Sequence, residues 1–178
     1  MKKIFIAFIF IFFDFTISFE NGQILSLLPT CIGYWFLIKG LMELKEKSVS
    51  CAKMIPWAKW EMGIATIIWV TNLMGLQLQM IIISLVSTIL NYYITYKVVK
   101  GIGEVGEYHN RDIHANELKT AWIINIIASI LNAVCSVLPL VNIVMSLVGF
   151  GVYVYILITM NRVKKAYQAI LIEETIEK

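Results

Sequence analysis

The sequence predicts an all-α polytopic membrane protein: a helical bundle of six transmembrane helices, arranged as three hairpins with both termini cytoplasmic. Composition is the first reason. Hydrophobic residues make up 59% of the 178 positions against 15% charged, and the mean hydropathy is +0.77, far more apolar surface than a soluble domain of this size can bury. Six stretches approach the roughly 20 apolar residues that cross about 30 Å of hydrocarbon. All fifteen lysines and arginines then fall on one side of those stretches, the side that membrane insertion keeps in the cytoplasm.

The first span, 4–19, is short and contains Asp14. Its start, MKKIFIAFIFIFF, also resembles a signal peptide, with Lys2 and Lys3 ahead of an apolar run and Thr16 and Ser18 at the small positions before a cut. The cleavage site is a poor one and a retained helix closes the even count, so retention is expected; cleavage would leave five spans with the other loops unmoved. The second span covers 23–42, followed by a basic connection with Lys39, Lys45, Lys47, Lys53 and Lys59. The third and fourth, 58–74 and 76–96, lead into Lys97, Lys100, Arg111 and Lys119. The fifth and sixth, 120–138 and 140–160, lead to Arg162, Lys164, Lys165 and Lys178. The opposite connections, ENGQ, NLMGLQLQ and VLPLVN, hold no lysine or arginine. The organisation expected is a transmembrane domain at 1–160 and a cytoplasmic amphipathic tail at 161–178. In that tail Val163, Tyr167, Ile170 and Leu171 form a narrow apolar stripe, with basic residues near the membrane and Glu173, Glu174 and Glu177 beyond.

Several spans carry polar or small residues at helical spacing. The fourth has Ser84, Thr88, Asn91 and Thr95, and the fifth Asn125, Ser129, Asn132 and Ser136, widened by Ala128 and Cys135. The sixth has Asn142, Ser146, Gly149 and Tyr153, while Glu61, Ala65, Trp69 and Asn72 make a weaker stripe in the third. Such faces are expected to point into the bundle. They serve either helix packing through small and amide side chains or the lining of a polar, ligand-binding cavity. Packing is the economical choice, though so many asparagines at membrane depth exceed what packing alone requires.

Asp14 is the carboxylate well inside a span, and a buried charge costs several kcal/mol unless it is paired, protonated or hydrated. It is the candidate intramembrane acid, against the plainer roles of a hydrated helix end or an interhelical hydrogen bond. Glu61 and Lys39 lie near inner ends, where snorkelling makes them cheap.

The two histidines share one connection, GEYHNRDIHANE, residues 106–117. If that stretch is helical, His109 and His114 point about 140° apart, unsuited to ligating one metal, while Glu107 and Arg111 make an i, i+4 ion pair. A solvated connector is the expectation, with no metal site and no cofactor. The three cysteines, Cys31, Cys51 and Cys135, have no paired spacing and read as small apolar residues, Cys51 on the reducing side. No G-x-S-x-G or H-E-x-x-H motif is present, so no catalytic residue is assigned, and GIGEVG lacks the strand-to-helix context of a phosphate loop. Basic residues scattered over four juxtamembrane segments suit lipid headgroups and not nucleic acid.

Weak repetition links ILSLL, IISLV and VMSLV, which align Ser26, Ser84 and Ser146 and suggest three stacked hairpins. The segment LLPTCIGYWFLIKGLMELKEKS, residues 27–48, resembles the second span of a loose group of small uncharacterised bacterial multi-pass membrane proteins of Gram-positive type, in which an LPDFIGY-like start precedes a Gly-Leu and a basic segment. Pro29, Ile32, Gly33, Tyr34, Gly40 and Leu41 match, whereas Thr30 and Cys31 replace the Asp-Phe pair. The resemblance covers about 22 residues and implies a bacterial inner (plasma) membrane setting without a mechanism. On physical grounds Pro29 is expected to kink the second span, and Gly33 with Gly40 to offer a flat face for close helix approach.

The function expected is that of an integral membrane accessory or scaffold subunit, acting through helix packing and its cytoplasmic loops beside other membrane subunits. The alternative is a solute-binding membrane subunit with a small-molecule ligand. In size, span count and orientation the chain is similar to the substrate-binding components of energy-coupling-factor transporters, although Ala7 is the lone alanine of its first span. An enzyme acting on lipid ranks third.

Overall fold

The computed structural model describes residues 1–12, 16–18, 24–26, 29–74, 81–135 and 139–176, with side-chain surroundings at all but 16–18, 24–26, 81, 82, 84, 135, 139, 140 and 142. Six helices carry these residues: α1 (Lys2–Phe12), α2 (Thr30–Leu44), α3 (Val49–Leu73), α4 (Ile81–Tyr108), α5 (Ala115–Cys135) and α6 (Pro139–Ile176). Between α1 and α2 lie two three-residue strands, β1 (Thr16–Ser18) and β2 (Ile24–Ser26), paired antiparallel with Ile17 opposite Leu25. The chain divides into two compact units, Met1–Val105 and Gly106–Lys178, each described by itself below.

Helix boundaries follow local chemistry. Pro29 stands at the N-cap of α2 with φ −61° and ψ 120°. It therefore starts that helix and does not kink it, since its fixed φ and missing N–H cost nothing ahead of the first turn. Ser48 caps α3 from an extended conformation, its Oγ accepting the Cys51 N–H at 3.0 Å. After α4 the chain reverses within six residues. Asn110 and His114 take left-handed φ values of 50° and 59°, and the Asp112 carboxylate accepts the His114 N–H at 2.8 Å. Gly106 makes room for this reversal, because a Cβ there would meet the Arg111 carbonyl and the Ile113 side chain at 3.0 Å. The expected helical pairing of Glu107 with Arg111 is thereby lost.

In the first unit Ile4, Ala7, Phe8 and Ile11 of α1 are buried against α2, where Tyr34, Leu37, Leu41 and Leu44 face inward. Gly33 and Gly40 bring the two helices together. A Cβ on Gly33 would sit 2.9 Å from Phe10 and Ile11, and one on Gly40 would collide with Ile4. Gly40→Leu should consequently unseat α1, costing ~1–3 kcal/mol through overpacking and lowering the thermal midpoint in detergent. Gly63→Leu, which meets nothing within 4 Å, is the matched control. In the second unit Leu118 and Ala121 of α5 are buried, as are Ile156, Met160, Val163 and Tyr167 of α6, and the two helices pack together.

Among the described residues two helices are long and apolar enough to cross a membrane, α5 over Ala115–Val134 and α6 over Ile143–Ile176. The spans expected at 4–19 and 23–42 are not continuous helices. α1 has 11 residues and α2 has 15, about 16 and 22 Å at 1.5 Å per residue. The ribbon interrupts the apolar run that composition alone reads as unbroken. α3 and α4 run longer than expected, 25 and 28 residues, because their charged ends continue as helix. The repetition does not extend to structure, since Ser26 lies in a strand while Ser84 and Ser146 lie in helices. Residues 161–176 continue α6 without a break and belong to the same compact unit as α5.

Candidate functional site

The most unusual chemistry in the first unit is a buried carboxyl. Glu61, at the middle of α3, is 2% exposed, and Ser87 of α4 donates a hydrogen bond to its Oε1. Its Oε2 is buried with no hydrogen-bond partner among the described residues. The same holds for Asn91 Oδ1, one helical turn from Ser87 on α4, and for the hydroxyl of Tyr34 on α2, which lies close enough to Glu61 to couple electrostatically. Three polar atoms are thus buried without partners among the described residues, and each lost bond costs roughly 1–3 kcal/mol. Glu61 does not snorkel, contrary to expectation, because the helices around it close over its side chain. Tyr34 and Ser87 were not among the expected site residues. The sequence signal that points to Ser87 is its spacing of four from Asn91 on the helix after Glu61; nothing local points to Tyr34.

The polar stripes are only partly inward. On α4 Thr95 is buried, its hydroxyl donating back to the Asn91 carbonyl at 2.8 Å, but Thr88 is exposed. Asn125 is buried on α5; Ser129 and Asn132 are half-buried, and Asn132 Oδ1 has no partner among the described residues. On α6 Tyr153 is half-buried, yet Ser146 is exposed and a Cβ on Gly149 would meet nothing within 4 Å. The expectation of uniformly inward faces thus fails at Thr88, Ser146 and Gly149. Helical spacing aligns residues on a face without saying how far along the helix that face is covered, and much of the side-chain surface at this level is open. The side chains of Ser84 and Asn142 are outside the description, and Asp14 and Ser136 lie outside the described residues. The α4 stripe belongs to the first unit and those of α5 and α6 to the second.

Charged contacts gather at the lysine- and arginine-rich helix ends. In the first unit Glu104 of α4 accepts from Ser48 Oγ at 2.7 Å, from the Ser50 N–H at 2.9 Å and from Ser50 Oγ, which binds its other oxygen. Burial raises the carboxyl's pKa, but these bonds, aided by Lys100, outweigh it and hold it below the usual value. Cys51 packs beside this clamp, and burial pushes its thiol up to about 11, so it stays an inert thiol. Cys31 and Cys51 are both free.

In the second unit the histidine turn docks on the end of α6. His109 Nδ1 lies 2.7 Å from Glu174 with its ring edge-on to Tyr167, and Arg111 reaches Glu173 at 3.2 Å. Arg162 and His114 flank Glu117 at 3.3 and 3.1 Å. The connector is therefore a bracket for the tail. No group of three or more histidine, cysteine, aspartate or glutamate side chains among the described residues is placed to hold a metal ion.

No family model, curated protein or solved structure matches the chain.

Proposed function

We propose that the chain is a multi-pass protein of a bacterial plasma membrane, crossing it six times with both termini cytoplasmic, and that it serves as a non-catalytic accessory or scaffold subunit. One-sided charge supports the topology, since the ion pairs and the Glu104 clamp all sit at the ends bearing lysine and arginine. In this reading the first two crossings are completed at their outer ends by the ribbon, α1 and α2 being too short alone.

The accessory role rests on one observation. On α6 Ser146 is exposed among Val144 and Leu147, and a Cβ on Gly149 or Gly151 would meet nothing within 4 Å. An open face of small residues of this kind lets a helix of another membrane subunit approach closely. A solute-binding role would instead use the amides of Asn91, Asn125 and Asn132. The cavity between α3 and α4, however, is lined by Ile64, Ile67, Ile83 and Val86, which gives a polar solute nothing to bond.

Copurification of the tagged chain from its native membrane tests the proposal. The wild type is expected to bring down a membrane protein that the Ser146→Leu/Gly149→Leu variant loses while remaining monodisperse. Recovery of a small molecule with ATPase subunits would establish the solute-binding alternative and sink the accessory role.

A further inference from the structure

We propose that the α3–α4 face of the first unit binds one anionic diacyl phospholipid of the cytoplasmic leaflet. Its phosphate lies between Lys53 and Lys97, its glycerol region against Trp57, Trp60 and Tyr93, and an acyl chain in the apolar groove beyond. This rests on the membrane reading above and adds a ligand to it.

Two largely exposed stripes carry the argument, with Ile64 and Lys97 half-buried. On α3 Lys53, Trp57 and Trp60 recur at spacings of four and three, all exposed, with Trp60 at 72%, and the same face continues to Ile64 and Ile67. On α4 the order is reversed: Ile83 and Val86, then Tyr93, then Lys97. The stripes meet at two levels. The rings of Trp57 and Tyr93 pack edge to face at 6.4 Å, and the four aliphatic side chains line an open cavity of ≈ 240 Å³. With Trp57 opposite Tyr93, antiparallel register brings Lys53 to the level of Lys97.

Neither lysine is in an ion pair among the described residues, in contrast to Lys3 with Glu43. The Lys97 ammonium instead rests 5.6 Å from the Tyr93 ring and 6.0 Å from that of Tyr96. Lys100, a turn further in, is drawn to Glu104 and is not counted. Two unpaired cations at one level favour an anion between them. The sequence along the groove, cation then aromatic belt then hydrocarbon slot, is that of an anionic phospholipid from headgroup to chain. Free phosphate would use only the first part.

The test uses the full chain in nanodiscs of phosphatidylcholine with a minority of phosphatidylglycerol, followed by native mass spectrometry of the released protein. One phosphatidylglycerol should be retained in preference to phosphatidylcholine, and Lys53→Gln/Lys97→Gln should reduce that preference roughly tenfold or more. Lys119→Gln/Lys165→Gln removes equal charge elsewhere and should leave it intact. Equal retention of both lipids, equal loss in both variants, or a copurifying protein that crosslinks to Trp60 and excludes lipid would overturn the site. Alkaline carbonate extraction separates the two failures: release of the chain defeats the membrane reading itself, while a chain that stays in the membrane without lipid preference defeats only this site.

Discussion

Replacing Glu104 by alanine is expected to loosen the lysine-rich end of the first unit more than any other charge-removing change. The carboxylate receives three hydrogen bonds at the start of α3, from two serine hydroxyls and one backbone N–H. Ser48 is doubly committed, since its oxygen also caps Cys51 N–H while its proton goes to Glu104. Loss of the anion strands that donor set beside a helix N-terminus that favours negative charge, a cost of ~3 kcal/mol. Glu104→Gln keeps one acceptor and should fall between. Acid should imitate the alanine variant. The folded-state carboxyl is held below its unfolded value, so its contribution is complete above the ordinary carboxylate range and is lost as pH falls through the lowered folded value. Thermal midpoints of detergent-solubilised wild type and Glu104→Ala should therefore converge on acidification. A gap that stayed constant with pH would mean the side chain works through packing alone.

The clamp also marks where sequence reading stops. The helical character, the number of helices and the polar stripes are visible in one dimension because they depend on spacing within ten or fifteen residues. Ser48 and Ser50 lie 56 and 54 residues from Glu104, and nothing local distinguishes that glutamate from Glu107 in the same helix. The first hairpin misleads for a different reason. An apolar window counts Thr16, Ile17, Ile24 and Leu25 as membrane helix, yet β-branched residues there pair as a ribbon, and backbone hydrogen bonding leaves no trace in hydropathy. Glu61 looked like a snorkelling end because its depth was legible and its cover was not. Gly33 and Gly40 were legible, since two small residues seven apart on one face have little other use at a close helix contact.

Ser87→Ala is expected to cost more than deleting the whole Glu61–Ser87 pair. With Ser87 present, one carboxyl oxygen has a donor and the other has none. Removing that donor leaves both oxygens bare inside the helix packing, a loss of ~2–3 kcal/mol. Glu61→Leu with Ser87→Ala removes the polar groups together and fills their volume with hydrocarbon, which is often neutral or stabilising. Glu61→Leu alone strands only a small hydroxyl that can turn to its own helix backbone, so it should rank between them. The ordering of melting midpoints, double variant above Glu61→Leu and both above Ser87→Ala, is the expected result. Should the double variant prove the least stable, the pair is a net structural asset. The expected ordering would instead mean that the chain keeps Glu61 at a cost to its own stability, which makes this buried carboxyl a candidate for a role beyond folding.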